Sequence, residues 1–256
     1  MWRGPTVAAQ KEKGAKAKSK IYGMHSKLIS LAAEKWADPT LNPALYDAIS
    51  SAKKDGVTSD VIDRAVKRGA GLDKDSAKIE EIYYEGYAPG GVAIIVRALT
   101  DNRNRTAPSM RHIFSAFGGS LGETGSVSNF AFDYVGLVTV ARPADMDALE
   151  MAIMETEAED YSEIDCTIVI RTSKQTFAAV QSSLETAGYP ITTSTLGYNA
   201  RAYVEVTEFE NALKIYKMLE EFDDDEDVEN VWNTADISDT LWAEVETFVA
   251  ARRFRT

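Results

Sequence analysis

The residues with the most chemistry within reach are two arginines in the segment Thr100-Asp101-Asn102-Arg103-Asn104-Arg105-Thr106. It links an apolar, strand-like run at 92–99 to a helical pattern starting near Asn104. Helix-start N–H groups and two guanidinium groups can therefore converge there on a phosphate or carboxylate. In the alternative reading Asp101 caps the helix while both arginines pair with nearby acids, and local sequence leaves the two open. Tyr83, Tyr84 and Tyr87 lie just upstream, where an outward ring could stack on an unpaired base. Alternation puts Ile82 and Tyr84 on one face and Tyr83 and Glu85 on the other, so at least one tyrosine belongs to the core. A second set of cations, Lys11, Lys13, Lys16, Lys18 and Lys20 with Lys67 and Arg68, is suited to gripping phosphates.

Other chemistries lack their parts. Zinc sites of Cys and His need three or four ligands at short spacing, and His25, His112 and Cys166 are all the chain has. The run Gly118-Gly119-Ser120-Leu121-Gly122 matches the G-x-S-x-G pattern, but a helix precedes it, a strand follows, and no histidine occurs after His112. It reads as a glycine-rich loop. The acidic run at 223–227 fails the calcium-loop template, with Val228 where glycine is needed and Thr234 where glutamate is needed, and reads as a solvated helix exit. Neither common nucleotide-loop motif occurs. The expectation is a protein that is not an enzyme and has no cofactor.

Charge is polarised along the chain. In all, 28 Lys and Arg stand against 40 Asp and Glu, a net −12, yet residues 1–78 hold 15 basic and 9 acidic residues and residues 79–256 hold 13 and 31. One end can meet a polyanion while the other is repelled; alternatively, the lysines are simply a solvated helix face. A single cysteine cannot form an internal disulfide, so a reducing compartment is the simplest home. The longest clean apolar run, 92–96, is far short of the roughly 20 residues of a membrane span, so no membrane association is expected.

The positioning elements follow from periodicity. A mobile or weakly helical arm at 11–20 leads into a helix ending before Asp38-Pro39. Asn42-Pro43 opens a second helix and Thr58 or Ser59 a third. Strands at 81–87 and 92–99 flank Ala88-Pro89-Gly90-Gly91, a type II turn pattern, and form a hairpin. A helix to Gly118 and a strand at 127–132 follow, then a strand at 137–140, a helix at 144–155, a strand at 164–171 with Cys166 on its core face, a helix at 174–187 and extended chain at 191–206. Thr207 and Glu210 suggest a capping box for the next helix, before a strand at 228–232 and a last helix. The fold class is α+β: an N-terminal three-helix domain at 1–77, an α+β domain at 78–133 plus 208–237, a second inserted at 134–207, and a C-terminal helix at 238–256. Both α+β domains are expected to be ferredoxin-like sandwiches.

The stretches Tyr84-Glu85-Gly86-Tyr87-Ala88-Pro89-Gly90-Gly91-Val92, Leu99-Thr100-Asp101-Asn102-Arg103-Asn104-Arg105-Thr106 and Gly118-Gly119-Ser120-Leu121-Gly122-Glu123-Thr124-Gly125-Ser126-Val127 closely resemble the YebC family signature. Ala65-Val66-Lys67-Arg68-Gly69 and Asp227-Val228-Glu229-Asn230-Val231 add to the likeness, which spans about residues 20–237. The family's opening Gly-His-Ser-Lys-Trp is replaced here by Trp2-Arg3-Gly4-Pro5-Thr6. The resemblance implies a helical domain with two α+β domains, one inserted in the other. It also implies gene-expression control without catalysis, through DNA or on ribosomes, including relief of stalling at proline-rich stretches. The resulting expectation is a ribosome- or RNA-associated translation factor acting on rRNA or tRNA. Lys11, Lys13, Lys16, Lys18, Lys20, Lys67 and Arg68 would hold phosphate, and Arg103 and Arg105 with Tyr87 would contact a structured RNA feature. A DNA-binding transcriptional regulator and an acidic docking module for basic proteins are the alternatives. The cytoplasm is the expected location, with the mitochondrial matrix second because Glu12 is the only acid before Glu34.

Overall fold

The computed structural model describes residues 14–73, 76–164 and 166–253. They fall into two units, one running through Val127 and resuming at Tyr203, the other Ser128–Ala202.

The first unit begins with α1 (Gly14–Ala33), α2 (Pro43–Lys54) and α3 (Ser59–Gly69). The stretch from Gly14 is helical rather than loose, in keeping with its alanines and lysines, which are good helix formers. Asn42 caps α2, accepting from the Leu45 N–H at 3.2 Å, and its amide donates to the Ala32 and Trp36 carbonyls, so one side chain fixes the α1–α2 corner. Ile29, Ala33, Leu45, Ala52, Ile62 and Ala65 form a small core of their own. α1 and α3 approach closely: a Cβ on Gly69 would collide with the Ser30 carbonyl, and the Ser30 hydroxyl donates to the Ala65 carbonyl at 2.9 Å.

Next come β1 (Glu80–Tyr87), β2 (Ala93–Thr100), α4 (Arg103–Ala116) and the two-residue β3 (Ser120–Leu121). The β1–β2 connection places Gly90 at φ 78° and ψ 7°, the left-handed third position of the expected turn.

The second unit holds α5 (Ser128–Ala131), β4 (Phe132–Ala141), α6 (Met146–Met154), β5 (Ala158–Ile164), β6 (Thr167–Thr172), α7 (Phe177–Thr186) and β7 (Ile191–Ala200). Its antiparallel sheet has the order β5-β6-β4-β7, the βαββαβ arrangement of a ferredoxin-like sandwich. Val138, Val140, Leu149, Ile168, Ile170, Val180 and Leu184 fill it.

The chain returns to the first unit through β8 (Val204–Glu205), α8 (Phe209–Asp224), β9 (Val228–Asn233), β10 (Ala235–Asp236) and α9 (Asp239–Arg253). The first sheet has the order β3-β1-β2-β9, and β8 pairs in parallel with β10. α4 and α8 share one apolar cluster with Ile94 and Val96, with Phe114 and Phe222 edge to face at 5.2 Å, and α9 extends it through Val245 and Val249. The protein is therefore a mixed α/β molecule, N-terminal helices followed by sheet domains.

Three local expectations are corrected. Residues 128–131 form a helical turn, not a strand; the Val127 N–H donates to the Glu85 carboxylate at 2.9 Å, and the strand starts only at Phe132. Cys166 is exposed and not on a core face, because Ile164 pairs with Thr167 and a turn between β5 and β6 breaks the alternation of Ile164, Cys166, Ile168 and Ile170. The capping box does not form: α8 starts at Phe209 without a side-chain cap, and Glu210 instead meets Lys214 at 2.8 Å.

Candidate nucleic-acid interface

The strand-to-helix segment is ordered by its own polar side chains. The Thr100 hydroxyl accepts from the Asn102 N–H at 2.9 Å, and Asn102 caps α4, accepting from the Asn104 and Arg105 N–H groups at 3.1 and 3.2 Å. The cap is thus Asn102 and not Asp101. Asp101 bridges two cations, Arg105 Nη2 at 3.1 Å and Arg68 Nη2 at 3.3 Å.

At the centre lies Asp227, with its side chain only 6% exposed. Arg105 Nη2 donates to both of its oxygens at 3.0 and 2.9 Å, Lys27 Nζ reaches Oδ1 at 2.7 Å, and the Thr106 and Thr100 hydroxyls donate to Oδ2 at 2.8 and 3.3 Å. Burial pushes this carboxyl up, but hydrogen bonds from Lys27, Arg105 and Thr106 outweigh it and hold the pKa below its ordinary value. The hydrogen bond to Asp227 correspondingly raises Arg105. The acidic run is therefore no uniformly solvated exit. Asp225 accepts from the Ser109 hydroxyl at 2.8 Å, and Asp227 joins α1, the start of α4 and the start of β9.

Arg68, Arg103 and Arg105 gather near this junction, but they are not equivalent. Arg105 is committed to two carboxylates, whereas Arg103 is 67% exposed and faces Glu80 at 3.5 Å. Tyr87 is not brought to them. Glu80 pairs with Thr100 and Tyr87 with Ala93, so Tyr87 lies seven residues, about 23 Å, along the hairpin. Its hydroxyl donates to the Ser126 carbonyl at 3.2 Å. The tyrosine that senses the arginine is Tyr84: burial raises its phenol, partly offset by the charge of Arg103.

Of the lysines, Lys67 is exposed, Lys18 lies over the Tyr22 ring at 5.5 Å, and Lys20 faces Asp223 at 3.7 Å. Lys16 is in α1, and Lys11 and Lys13 lie outside the described residues.

Sequence reasoning missed Lys27, Asp227 and Glu85. Asp227 stands directly before a strand, a position that could have marked it as inward-facing. The buried Glu85 carboxylate accepts from the Gly125 and Val127 N–H groups at 2.8 and 2.9 Å, and its carbonyl from Gly122 N–H at 2.7 Å, pinning the glycine-rich loop. Among the described residues no group of three or more His, Cys, Asp and Glu is placed to hold a metal ion, and no helix is long and apolar enough to cross a membrane.

Comparison with known proteins fits this architecture. Residues 3–72 match the profile described as TACO1/YebC protein N-terminal domain, and residues 79–235 that of the TACO1/YebC second and third domain. A "Probable transcriptional regulatory protein" of Finegoldia magna is 41% identical over 84% of this chain and 89% of its own length. One from Pseudomonas fluorescens is 38% identical over 93% of this chain and 96% of its own. The crystal structure of a conserved hypothetical protein from Aquifex aeolicus superposes with a TM-score of 0.78 at 34% identity, covering 86% of this chain and 91% of that one. Matched along nearly all of its helical and sheet domains, the chain belongs to the TACO1/YebC family.

Proposed function

We propose that this protein is a non-enzymatic gene-expression factor that associates with RNA at the ribosome. The observation that carries the reading is the charge division: 15 basic against 9 acidic residues in 1–78, and 13 against 31 thereafter. A phosphate backbone is drawn to the N-terminal helices and held off the remainder, which fixes orientation before any base is read. Lys11, Lys13, Lys16, Lys18, Lys20, Lys67 and Arg68 would hold phosphates. Arg103, exposed beside a capped helix start, would contact a structured feature of rRNA or tRNA. Arg105 positions that loop through Asp227, and Tyr87 supplies a separate contact further along the hairpin. The family resemblance extends the proposal to translation through proline-rich stretches, in the cytoplasm.

A second reading, DNA binding, is favoured by the names of the relatives. Competition between ribosomes and duplex DNA at fixed salt separates the two. Deleting residues 1–20 should weaken ribosome co-sedimentation and flatten the slope of log affinity against log salt by about 0.7–0.9 per lysine removed from a phosphate. Unchanged binding and slope would remove the arm from the interface, and preference for duplex DNA would move the protein to the second reading.

A further inference from the structure

We propose that the α1 face carrying Lys20 and Lys27 is a polyanion-binding surface that the chain's own acidic segment, Asp223 to Asp227, occupies in the free protein, and that a phosphodiester chain competes with that segment. The proposal rests on the nucleic-acid reading above and adds to it a surface and its internal competitor. Lys20 and Lys27 are seven residues apart, two turns, so they share one helix face with about 10 Å between them along the axis. Both meet carboxylates of the one segment leading from α8 to β9: Lys20 Nζ lies 3.7 Å from Asp223, and Lys27 Nζ 2.7 Å from Asp227, with a further bond to the Glu226 carbonyl at 2.8 Å.

The two contacts are graded. Asp223 is 81% exposed, so the outer pair is weak and screened by salt. The inner pair is buried, yet its release does not strand the carboxylate, because Asp227 keeps Arg105 and the Thr100 and Thr106 hydroxyls. The α1–α3 helices have a core of their own, so they can shift as a body with that core intact; what such a shift loosens is the contact of α1 with β2, where Ile95 and Leu99 are fully buried. A single small anion gains too little to displace two carboxylates, whereas several linked phosphates act together.

The test uses the full chain in a Cys166→Ser background, with spin labels at Ser51→Cys on α2 and Ser115→Cys on α4, and a 20-nucleotide oligouridine as probe. Saturating oligouridine should lengthen or broaden the label-to-label distance distribution. Asp223→Asn, made without labels, should bind oligouridine about two- to fivefold more tightly at low salt, a gain that shrinks as salt rises. Oligouridine binding with an unchanged distance distribution, or an Asp223→Asn protein that binds no tighter, overturns the competition and leaves the nucleic-acid reading standing. No binding by either protein in dilute buffer overturns both.

Discussion

The junction between the N-terminal helices and the first sheet holds a buried charge cluster beside the contact of α1 with β2, whereas the inserted unit is closed by aliphatic packing. In the inserted unit Leu149, Ile168, Ile170 and Leu184 are fully buried, and its shortest ion pairs, Arg142–Glu163 at 2.7 Å and Arg201–Asp133 at 2.8 Å, lie on the outside with every partner close to half exposed. Such pairs contribute about 0–1 kcal/mol. At the junction, one carboxylate with 6% exposure takes two cations and two hydroxyls. A buried charge cluster adds little net stability over an apolar one, but removing its central carboxylate leaves both cations uncompensated. The junction therefore determines which segments meet, and the aliphatic core supplies most of the free energy.

The largest expected effect breaks this contrast directly. Asp227→Ala should lose about 3–5 kcal/mol, because Lys27 and Arg105 are left facing a half-buried void. Asp133→Ala should lose less than about 1 kcal/mol. Leu149→Ala in the inserted core should lose about 2–5 kcal/mol through its cavity. None of the four tryptophans falls between residues 128 and 202, so their fluorescence during urea unfolding follows the first unit alone, and far-UV circular dichroism is added for the two inserted-unit variants. An Asp227→Ala transition within about 1 kcal/mol of the parent would show that the cluster is ornamental.

Acid sharpens the same contrast. Folding holds Asp227 below its ordinary pKa, so the stability it contributes is complete above the unfolded value of about 3.9 and is lost as pH falls through the lower folded value. Glu229 has the opposite sign. Burial raises its carboxyl despite the attraction of Arg97, so the fold prefers it protonated and recovers stability as pH falls through that raised value. Tryptophan-reported stability should therefore hold or rise as pH falls from 7 toward the carboxylate range and then drop once pH passes below about 3.9, with that acid limb reduced in Asp227→Asn. Equal acid limbs in the parent and Asp227→Asn would assign the loss to other carboxylates.

What could be read beforehand follows the same division. The stripe Leu45, Ile49, Ala52 and the strand at 92–99 announce themselves because apolar burial has a period that one segment displays by itself. Asn42 before Pro43 works likewise, since a cap acts over three residues. The partners of Asp227 come from positions 27, 100, 105 and 106, and no local pattern encodes a meeting over such separations. Cys166 fails in the opposite way: Ile164, Cys166, Ile168 and Ile170 alternate correctly, but a turn inserted between Ile164 and Thr167 reassigns the first two. The arginine segment was legible as a cation-bearing helix start. Which arginine is committed depended on carboxylates that only the tertiary fold brings near.

That difference between neighbours yields the smallest and most discriminating effect. Arg105, 55% exposed, donates to Asp227 and Asp101, while the 67% exposed Arg103 faces Glu80 at 3.5 Å. Arg105→Ala removes charge-assisted hydrogen bonds worth about 1.5–3 kcal/mol, and Arg105→Lys recovers little of it because an ammonium cannot reproduce the fork across both oxygens. Arg103→Ala should leave unfolding within about 0.5 kcal/mol of the parent and lower RNA affinity modestly, with the salt slope reduced by about 0.7–0.9. If Arg103→Ala leaves both affinity and slope unchanged while Arg105→Ala lowers affinity without loss of stability, the two roles are reversed, and the buried cluster at Asp227 is itself the contact surface.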